Sequence, residues 1–111
     1  MNSTAKYFQT LAALEAAGEP FVCVTLVAAR GSVPQEVGAK MLVTATTIAV
    51  GTIGGGRVEQ AALKRARTLL REPPTSRCEL IDWNLQRDIG MTCGGMVTFL
   101  FEVYSPNPRT V

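Results

Sequence analysis

The apolar residues of this chain recur at two spacings, one typical of helices and one typical of strands. Phe8, Leu11 and Leu14 lie three and four residues apart and predict a first amphipathic helix that ends near Ala17. Residues 57–72 repeat this spacing and predict a second helix, which a pair of prolines terminates. Both predicted helices have one apolar face, so each is expected to cover other elements of a core.

Five short apolar runs predict strands between and after these helices. Two of the runs, Phe21–Ala29 and Met96–Tyr104, are apolar at nearly every position, which is typical of strands covered on both faces. The other three lie at Lys40–Thr44, Thr47–Ile53 and Arg77–Trp83. The fold class predicted is therefore α/β, with a mixed β-sheet of about five strands and two main helices packed against it.

Length and composition place this chain among small globular domains. Its 111 residues are 47% hydrophobic and 18% charged, which predicts one domain over residues 1–111 with an exposed tail at residues 105–111. A net charge of +2 is too small to indicate a nucleic-acid or anionic-membrane surface. The sequence contains neither a signal peptide pattern nor an apolar run of about 20 residues, so we expect a cytoplasmic protein without a membrane partner.

The side chains available for chemistry are limited. The sequence has no histidine, which excludes imidazole bases, serine–histidine and cysteine–histidine pairs and the usual zinc sites. Its three cysteines are far apart, which argues against a disulfide framework. Cys23 and Cys78 lie within predicted strands and are expected to pack there. Cys93 lies in a glycine-rich loop, where an exposed thiol near positive charge from Arg57 or Lys40 would be reactive.

The run of three glycines at Gly54, Gly55 and Gly56 joins an apolar strand to the second predicted helix. Glycine allows a ligand to approach bare main chain, and a helix N-terminus directs unpaired amides and a partial positive charge at it. An anion such as a phosphate is the expected ligand, and a turn that needs glycine only for packing is the alternative. The order of residues matches neither the dinucleotide fingerprint nor the Walker loop.

Four sequence motifs, in order over about residues 21–102, resemble the XdhC/CoxI family. This family comprises accessory proteins for molybdenum hydroxylases of the xanthine dehydrogenase type, including carbon monoxide dehydrogenase. The motifs are Gly31-Ser32-Val33-Pro34, Gly38-Ala39-Lys40-Met41-Leu42-Val43, Gly51-Thr52-Ile53-Gly54-Gly55-Gly56-Arg57-Val58-Glu59, and Cys93-Gly94-Gly95 before a strand that ends in Phe101-Glu102. Family members often carry an arginine at the position of Gln35 and continue into a second, Rossmann-like domain.

The resemblance implies a chaperone that transiently binds the molybdenum cofactor, as molybdopterin or its dinucleotide form, and assists its sulfuration and insertion. Such a protein is not itself a catalyst. Cys93 would lie near the molybdenum or its exchangeable sulfur and is the candidate metal-proximal ligand. The cofactor-binding residues implied are Ser32, Lys40, Gly54, Gly55, Gly56, Arg57, Cys93, Gly94 and Gly95.

The partners implied are an apo-molybdoenzyme of the xanthine dehydrogenase type and a cysteine desulfurase. A separate Rossmann-like domain or a second copy of the chain would complete the site. Two alternatives stay open from the sequence. One is a small sulfur-transfer enzyme with Cys93 as its catalytic nucleophile, and the other is a structural or oligomerisation domain of the same fold that binds no ligand.

Overall fold

The computed structural model describes residues 3–33, 35–72, 78–92 and 94–105. In chain order, the helices are α1 (Ser3–Ala16) and α2 (Gly56–Arg71), and a short π-helical turn covers Leu85–Ile89. The strands are β1 (Phe21–Arg30), β2 (Lys40–Val43), β3 (Ile48–Gly51), β4 (Cys78–Asn84) and β5 (Met96–Tyr104). The prediction of five strands and two main helices in an α/β domain is confirmed.

The five strands form one sheet in the order β3-β2-β1-β5-β4, with β1 at its centre. All four strand pairs are antiparallel, so the sheet is not the mixture of directions that we predicted. Chain neighbours β1 and β2, β2 and β3, and β4 and β5 pair through connections too short for a parallel crossover. The long connection through α2 joins the two edge strands, β3 and β4, rather than two neighbouring strands.

One face of the sheet packs against α2 and forms the larger part of the core. Val58, Ala62 and Ala66 of α2 are fully buried against apolar side chains of β1, β2 and β5. Phe99 and Phe101 lie at the centre of this layer with no exposed surface. The small alanines allow α2 to approach the sheet closely, and the large rings of β5 fill the space beneath it.

The opposite face of the sheet is covered by α1 over β1, β2 and β3. Tyr7, Leu11 and Leu14 of α1 pack with Phe21, Cys23 and Leu42. Phe8 was predicted in this apolar stripe, but its side chain is 55% exposed. The side chains of Tyr7, Leu11 and Leu14 lie on the helix face that packs against the sheet. Phe8 is rotated about 100° from Tyr7 around the helix axis, so its side chain lies at the edge of that face.

The same face is open over β4 and β5, beyond the reach of α1. Leu80 is 66% exposed there, and Cys78 is exposed rather than packed as we predicted. Both residues lie on the edge strand β4, where alternate side chains point away from α2. The apolar character of β5 on both faces therefore does not mean that both faces are covered. Among the described helices, none is long and apolar enough to cross a membrane.

Helix α2 is fixed to the sheet by a bidentate ion pair as well as by its apolar face. Arg65 donates from Nε to Oε2 of Glu79 at 2.7 Å and from Nη2 to Oε1 at 2.6 Å. Arg67 donates from Nη2 to the carbonyl oxygen of Thr46 at 3.0 Å. Both arginines therefore bind neighbouring elements of the fold.

The Arg65–Glu79 pair predicts a pH dependence of stability. The hydrogen bonds from Arg65 lower the pKa of Glu79 below its ordinary value of 4.5. The pair therefore stabilises the fold fully above about pH 4.5 and loses this effect as the pH falls through the lowered pKa. Glu79→Gln is expected to reduce the free energy of unfolding at pH 7 by at most about 1 kcal/mol, since the pair is partly exposed.

Urea unfolding at pH 7 and at pH 3 measures this contribution, with Glu15→Gln at an exposed position of α1 as the control. The difference between Glu79→Gln and the wild type should shrink at pH 3. An equal difference at both pH values would show that the ion pair is not its cause.

Candidate functional site

Three loops carry most of the candidate residues. The serine loop (residues 31–39) follows β1, the triple-glycine loop (residues 52–55) precedes α2, and the second glycine loop (residues 90–95) precedes β5. Residue 93, and with it the predicted role of Cys93, lies outside the described residues. The contacts of the other residues show which of these loops meet.

The triple-glycine loop takes a backbone conformation that requires its glycines. Gly54, Gly55 and Gly56 have φ angles of 137°, 70° and 52°, a region that residues with a side chain rarely adopt. A Cβ atom on Gly55 or Gly56 would meet no described atom within 4 Å. The space outside these two residues is therefore open to the main chain, as an approaching ligand requires.

The carboxylate of Glu59, in the first turn of α2, binds back to this loop. Its Oε2 accepts a hydrogen bond from the amide of Gly55 at 2.9 Å and from the amide of Ile53 at 3.3 Å. The hydroxyl of Thr52 also donates to Oε2, and the amide of Gly54 donates to the Thr52 hydroxyl at 3.3 Å. An anion of the chain itself is thus held by the amides that precede the helix.

This contact explains how α2 begins without a capping side chain. Gly55 is the residue before the helix, and it has no side chain to accept from the first-turn amides. Glu59, in the first turn of the helix, instead accepts hydrogen bonds from the loop amides, as the glutamate of a capping box does. This role of Glu59 was not predicted, although an acidic residue in the first turn of a helix is a general signal for it.

Arg57 connects the triple-glycine loop to the second glycine loop. Its Nη1 donates to the carbonyl oxygen of Gly90 at 2.8 Å, directly after the π-helical turn. A Cβ atom on Gly90 would lie 2.7 Å from that Nη1, so a side chain at this position would require the guanidinium to shift. The positive charge of Arg57 therefore lies beside the loop that contains residue 93.

The second glycine loop also contacts the serine loop, through Gly95. A Cβ atom on this buried residue would overlap the carbonyl oxygen of Ser32 and lie 2.6 Å from Cγ1 of Val33 and 2.9 Å from the carbonyl oxygen of Arg30. Two backbone segments can approach this closely only where no side chain separates them. The structure thus brings Ser32, Arg57, Gly94 and Gly95 into neighbouring loops.

The π-helical turn is hydrogen-bonded to the second glycine loop. The amide of Leu85, which is fully buried, donates to the carbonyl oxygen of Gly95 at 2.9 Å, and the amide of Met91 donates to that of Leu85 at 2.9 Å. Most residues of this turn are polar, and Leu85 is the one that is fully buried in the core. Short π-helical turns are frequent at functional sites, but their sequence signal is weak.

Lys40 directly follows the serine loop, and its backbone lies against Gly51, the residue before the triple-glycine loop. It begins β2, opposite Thr25 of β1, and lines a groove with Tyr7 and Phe8 on the side of the sheet that α1 covers. Strand alternation places Lys40 on the same face as Leu42, whereas Met41 points toward α2. The Lys40 side chain therefore faces the α1 side of the sheet, in a groove that also contains Thr52 of the triple-glycine loop.

Two further observations limit the chemistry of the described residues. Among them, no group of three histidine, cysteine, aspartate or glutamate side chains could hold a metal ion. Burial raises the pKa of the Cys23 thiol, which lies against Tyr7 in the α1 layer. Cys23 is therefore a packing residue, as we predicted, rather than a nucleophile.

Because Gly95 lies against the serine loop, we expect its substitution to lower the free energy of unfolding. Substitution of its neighbour Gly94 should have little effect. Gly95→Ala should lower the free energy of unfolding by about 1–3 kcal/mol, because backbone of the serine loop must move. Gly94→Ala is the control, since its Cβ would come no nearer than 4.0 Å to Gln86 Oε1. We expect it to change stability by less than about 0.5 kcal/mol in urea unfolding. Equal losses in both variants would contradict the described contact.

Comparison with known proteins identifies relatives of this arrangement. The chain is 34% identical over 108 residues to the uncharacterized protein YqeB of Escherichia coli K12, covering 94% of this chain and 19% of YqeB. Its fold matches the crystal structure of a xanthine dehydrogenase from Bacillus halodurans with a TM-score of 0.69 at 22% identity, covering 92% of this chain and 31% of that one. The chain thus spans about a fifth of the length of its curated relative and a third of the solved structure.

The model of the XdhC and CoxI family matches residues 14–80, which is more than half of the chain. The match includes the serine loop, the triple-glycine loop and α2. Together with the relative at 34% identity, it shows that this chain belongs to the XdhC and CoxI family.

Proposed function

We propose that this domain binds the molybdenum cofactor and assists its sulfuration and insertion into an apo-molybdoenzyme of the xanthine dehydrogenase type. Membership in the XdhC and CoxI family and a fold shared with a xanthine dehydrogenase structure support a role in molybdoenzyme maturation. The observation that carries the proposal is the link between the two glycine loops through Arg57 and Gly90. This hydrogen bond connects the positive charge of Arg57, next to the open main chain of Gly55 and Gly56, to the loop that contains Cys93 in the sequence.

The described residues fit the anionic end of the cofactor. Its phosphate or pyrophosphate suits the open side of Gly55 and Gly56, where a ligand can reach the main chain. The first-turn amides of α2 have no intrahelical acceptors and point to the same side. Glu59 already accepts from the amides of Ile53 and Gly55, so the donors left for the ligand are the first-turn amides and Arg57.

The proposed role of Cys93 depends on its neighbours along the chain. It follows Thr92 and precedes Gly94, in the loop whose carbonyl at Gly90 binds Arg57. A cationic side chain close to a thiol favours the thiolate, which is the form that binds soft metals and carries sulfur. When bound, the cofactor would supply a molybdenum centre with an exchangeable sulfur, and this chain would hold and shield it.

The remaining partners follow from the same proposal. The apo-molybdoenzyme accepts the loaded cofactor, and a cysteine desulfurase supplies sulfur. The three loops lie on one side of the domain, and a Rossmann-like domain or a second copy of this chain would close the site over them. In the sulfur-transfer alternative, Cys93 would itself carry the persulfide, and in the structural alternative the loops would serve the fold alone.

Cofactor retention tests the proposal. The purified protein is incubated with molybdenum cofactor released from a molybdoenzyme, and free ligand is removed by gel filtration. Molybdenum is then measured by mass spectrometry and the pterin by its fluorescence after oxidation. We expect both to elute with the wild-type protein in a constant ratio. Absence of both, at a concentration where a longer family member retains them, would contradict the proposal for this domain.

Matched variants locate the bound cofactor. Gly55→Val should reduce retention at least tenfold, because the new side chain fills the open side of the loop. Gly18→Val is its control, since Gly18 has nearly the same φ, 69° against 70°, and equally open surroundings after α1. Cys93→Ala should lose the fraction of bound cofactor that carries the exchangeable sulfur. Cys78→Ala, which replaces an exposed cysteine on β4, is its control. Equal retention by Gly55→Val and Gly18→Val would place the cofactor elsewhere.

A further inference from the structure

A second concave surface lies between α1, the serine loop and the facing ends of β2 and β3. It encloses about 320 Å³ and is lined by Tyr7 and Phe8 of α1, Gln35 of the serine loop, Lys40 of β2, and Thr52. Sites for small ligands have this size range and combine apolar or aromatic walls with a few polar groups. The groove reaches the triple-glycine loop at Thr52.

The aromatic wall of the groove is a pair of rings on α1. Tyr7 and Phe8 lie edge to face, with ring centroids 5.5 Å apart and planes at 89°. Tyr7 is buried and covers the sheet, whereas Phe8 is 55% exposed although it belongs to an apolar stretch. An exposed phenyl ring held in place by a buried neighbour is a suitable surface for stacking a planar ligand.

The polar groups of the groove favour an anion. Lys40 is the one charged side chain among its described lining residues, so its ammonium group is where an anion of a ligand would bind. The Gln35 amide offers both a donor and an acceptor to the edge of a ring. On the opposite side, the hydroxyl of Thr52 binds Glu59, which connects the groove to the triple-glycine loop.

We propose that this groove binds a planar heteroaromatic ring that carries an anionic substituent, stacked on Phe8 with its anion at Lys40. The inference rests on the proposed function for the identity of the ligand: the ring would be the pterin of the cofactor, and the anion would be the phosphate on its side chain, held between Lys40 and the triple-glycine loop, which the groove reaches at Thr52. The groove and the glycine loops would then contact different parts of one ligand.

Fluorescence titration with pterin-6-carboxylate at pH 7 tests the groove directly. This probe has a planar heteroaromatic ring and one carboxylate, and stacking on a protein ring quenches its emission. We expect saturable quenching by the wild-type protein and a dissociation constant at least tenfold higher for Phe8→Ala and for Lys40→Met. Pterin without the carboxylate should bind Phe8→Ala more weakly than the wild type but should not distinguish Lys40→Met from it.

Two variants outside the groove serve as matched controls. Leu80→Ala removes another exposed apolar side chain on β4, and Lys64→Met removes another exposed lysine on α2. Both should bind pterin-6-carboxylate as the wild type does, and circular dichroism verifies the fold of every variant. Because Phe8 and Lys40 are exposed, their replacement should leave the fold intact.

The outcomes separate this inference from the proposed function. It is overturned if the wild type shows no saturable quenching, or if Phe8→Ala and Lys40→Met bind the probe as tightly as the controls do. Retention of molybdenum by these two variants at the wild-type level would also overturn it and would leave the proposed function intact. Binding of the probe in the groove by a protein that retains no molybdenum would contradict the proposed function alone.

Discussion

The hydrogen bonds that Glu59 accepts from the triple-glycine loop determine how this domain presents its candidate site. The carboxylate binds the amides of Ile53 and Gly55 and the hydroxyl of Thr52, in a loop with no side chain at three successive positions. Such a loop would otherwise be flexible, because glycine loses more conformational entropy on folding than any other residue. A charged acceptor offsets that cost and fixes the direction in which α2 leaves the loop.

The position of α2 in turn decides which loops meet. Arg57 lies one residue after the start of α2 and binds the carbonyl of Gly90, so the orientation of the helix brings the second glycine loop to the first. Gly95 then lies against the backbone of Ser32. Three segments that are distant in the sequence are therefore joined by one helix start, one side-chain hydrogen bond and one close backbone approach. Binding of a ligand that contacts all three segments would therefore depend on all of these contacts.

Local patterns predicted the elements well and their arrangement poorly. The bounds of β5 agree with the prediction, and α2 begins one residue before it, because apolar spacing and the terminating prolines are local signals. Strand direction is not local, so the antiparallel sheet was missed. Strand alternation places the Lys40 side chain in the α1 groove, which the family motif alone did not indicate. The buried Leu85 and the contact of Glu59 depend on tertiary neighbours that spacing alone does not reveal.

Amide hydrogen exchange of Ile53 and Gly55, followed by nuclear magnetic resonance, tests the central role of Glu59 most directly. Glu59→Ala removes the acceptor, and Gln60→Ala, at the exposed next position of α2, is the control. We predict that exchange of these two amides accelerates about tenfold or more in Glu59→Ala, in keeping with the loss of a charge-assisted hydrogen bond of at least 1.5 kcal/mol, and stays unchanged in Gln60→Ala. Equal protection of both amides in the wild type and in Glu59→Ala would contradict the account.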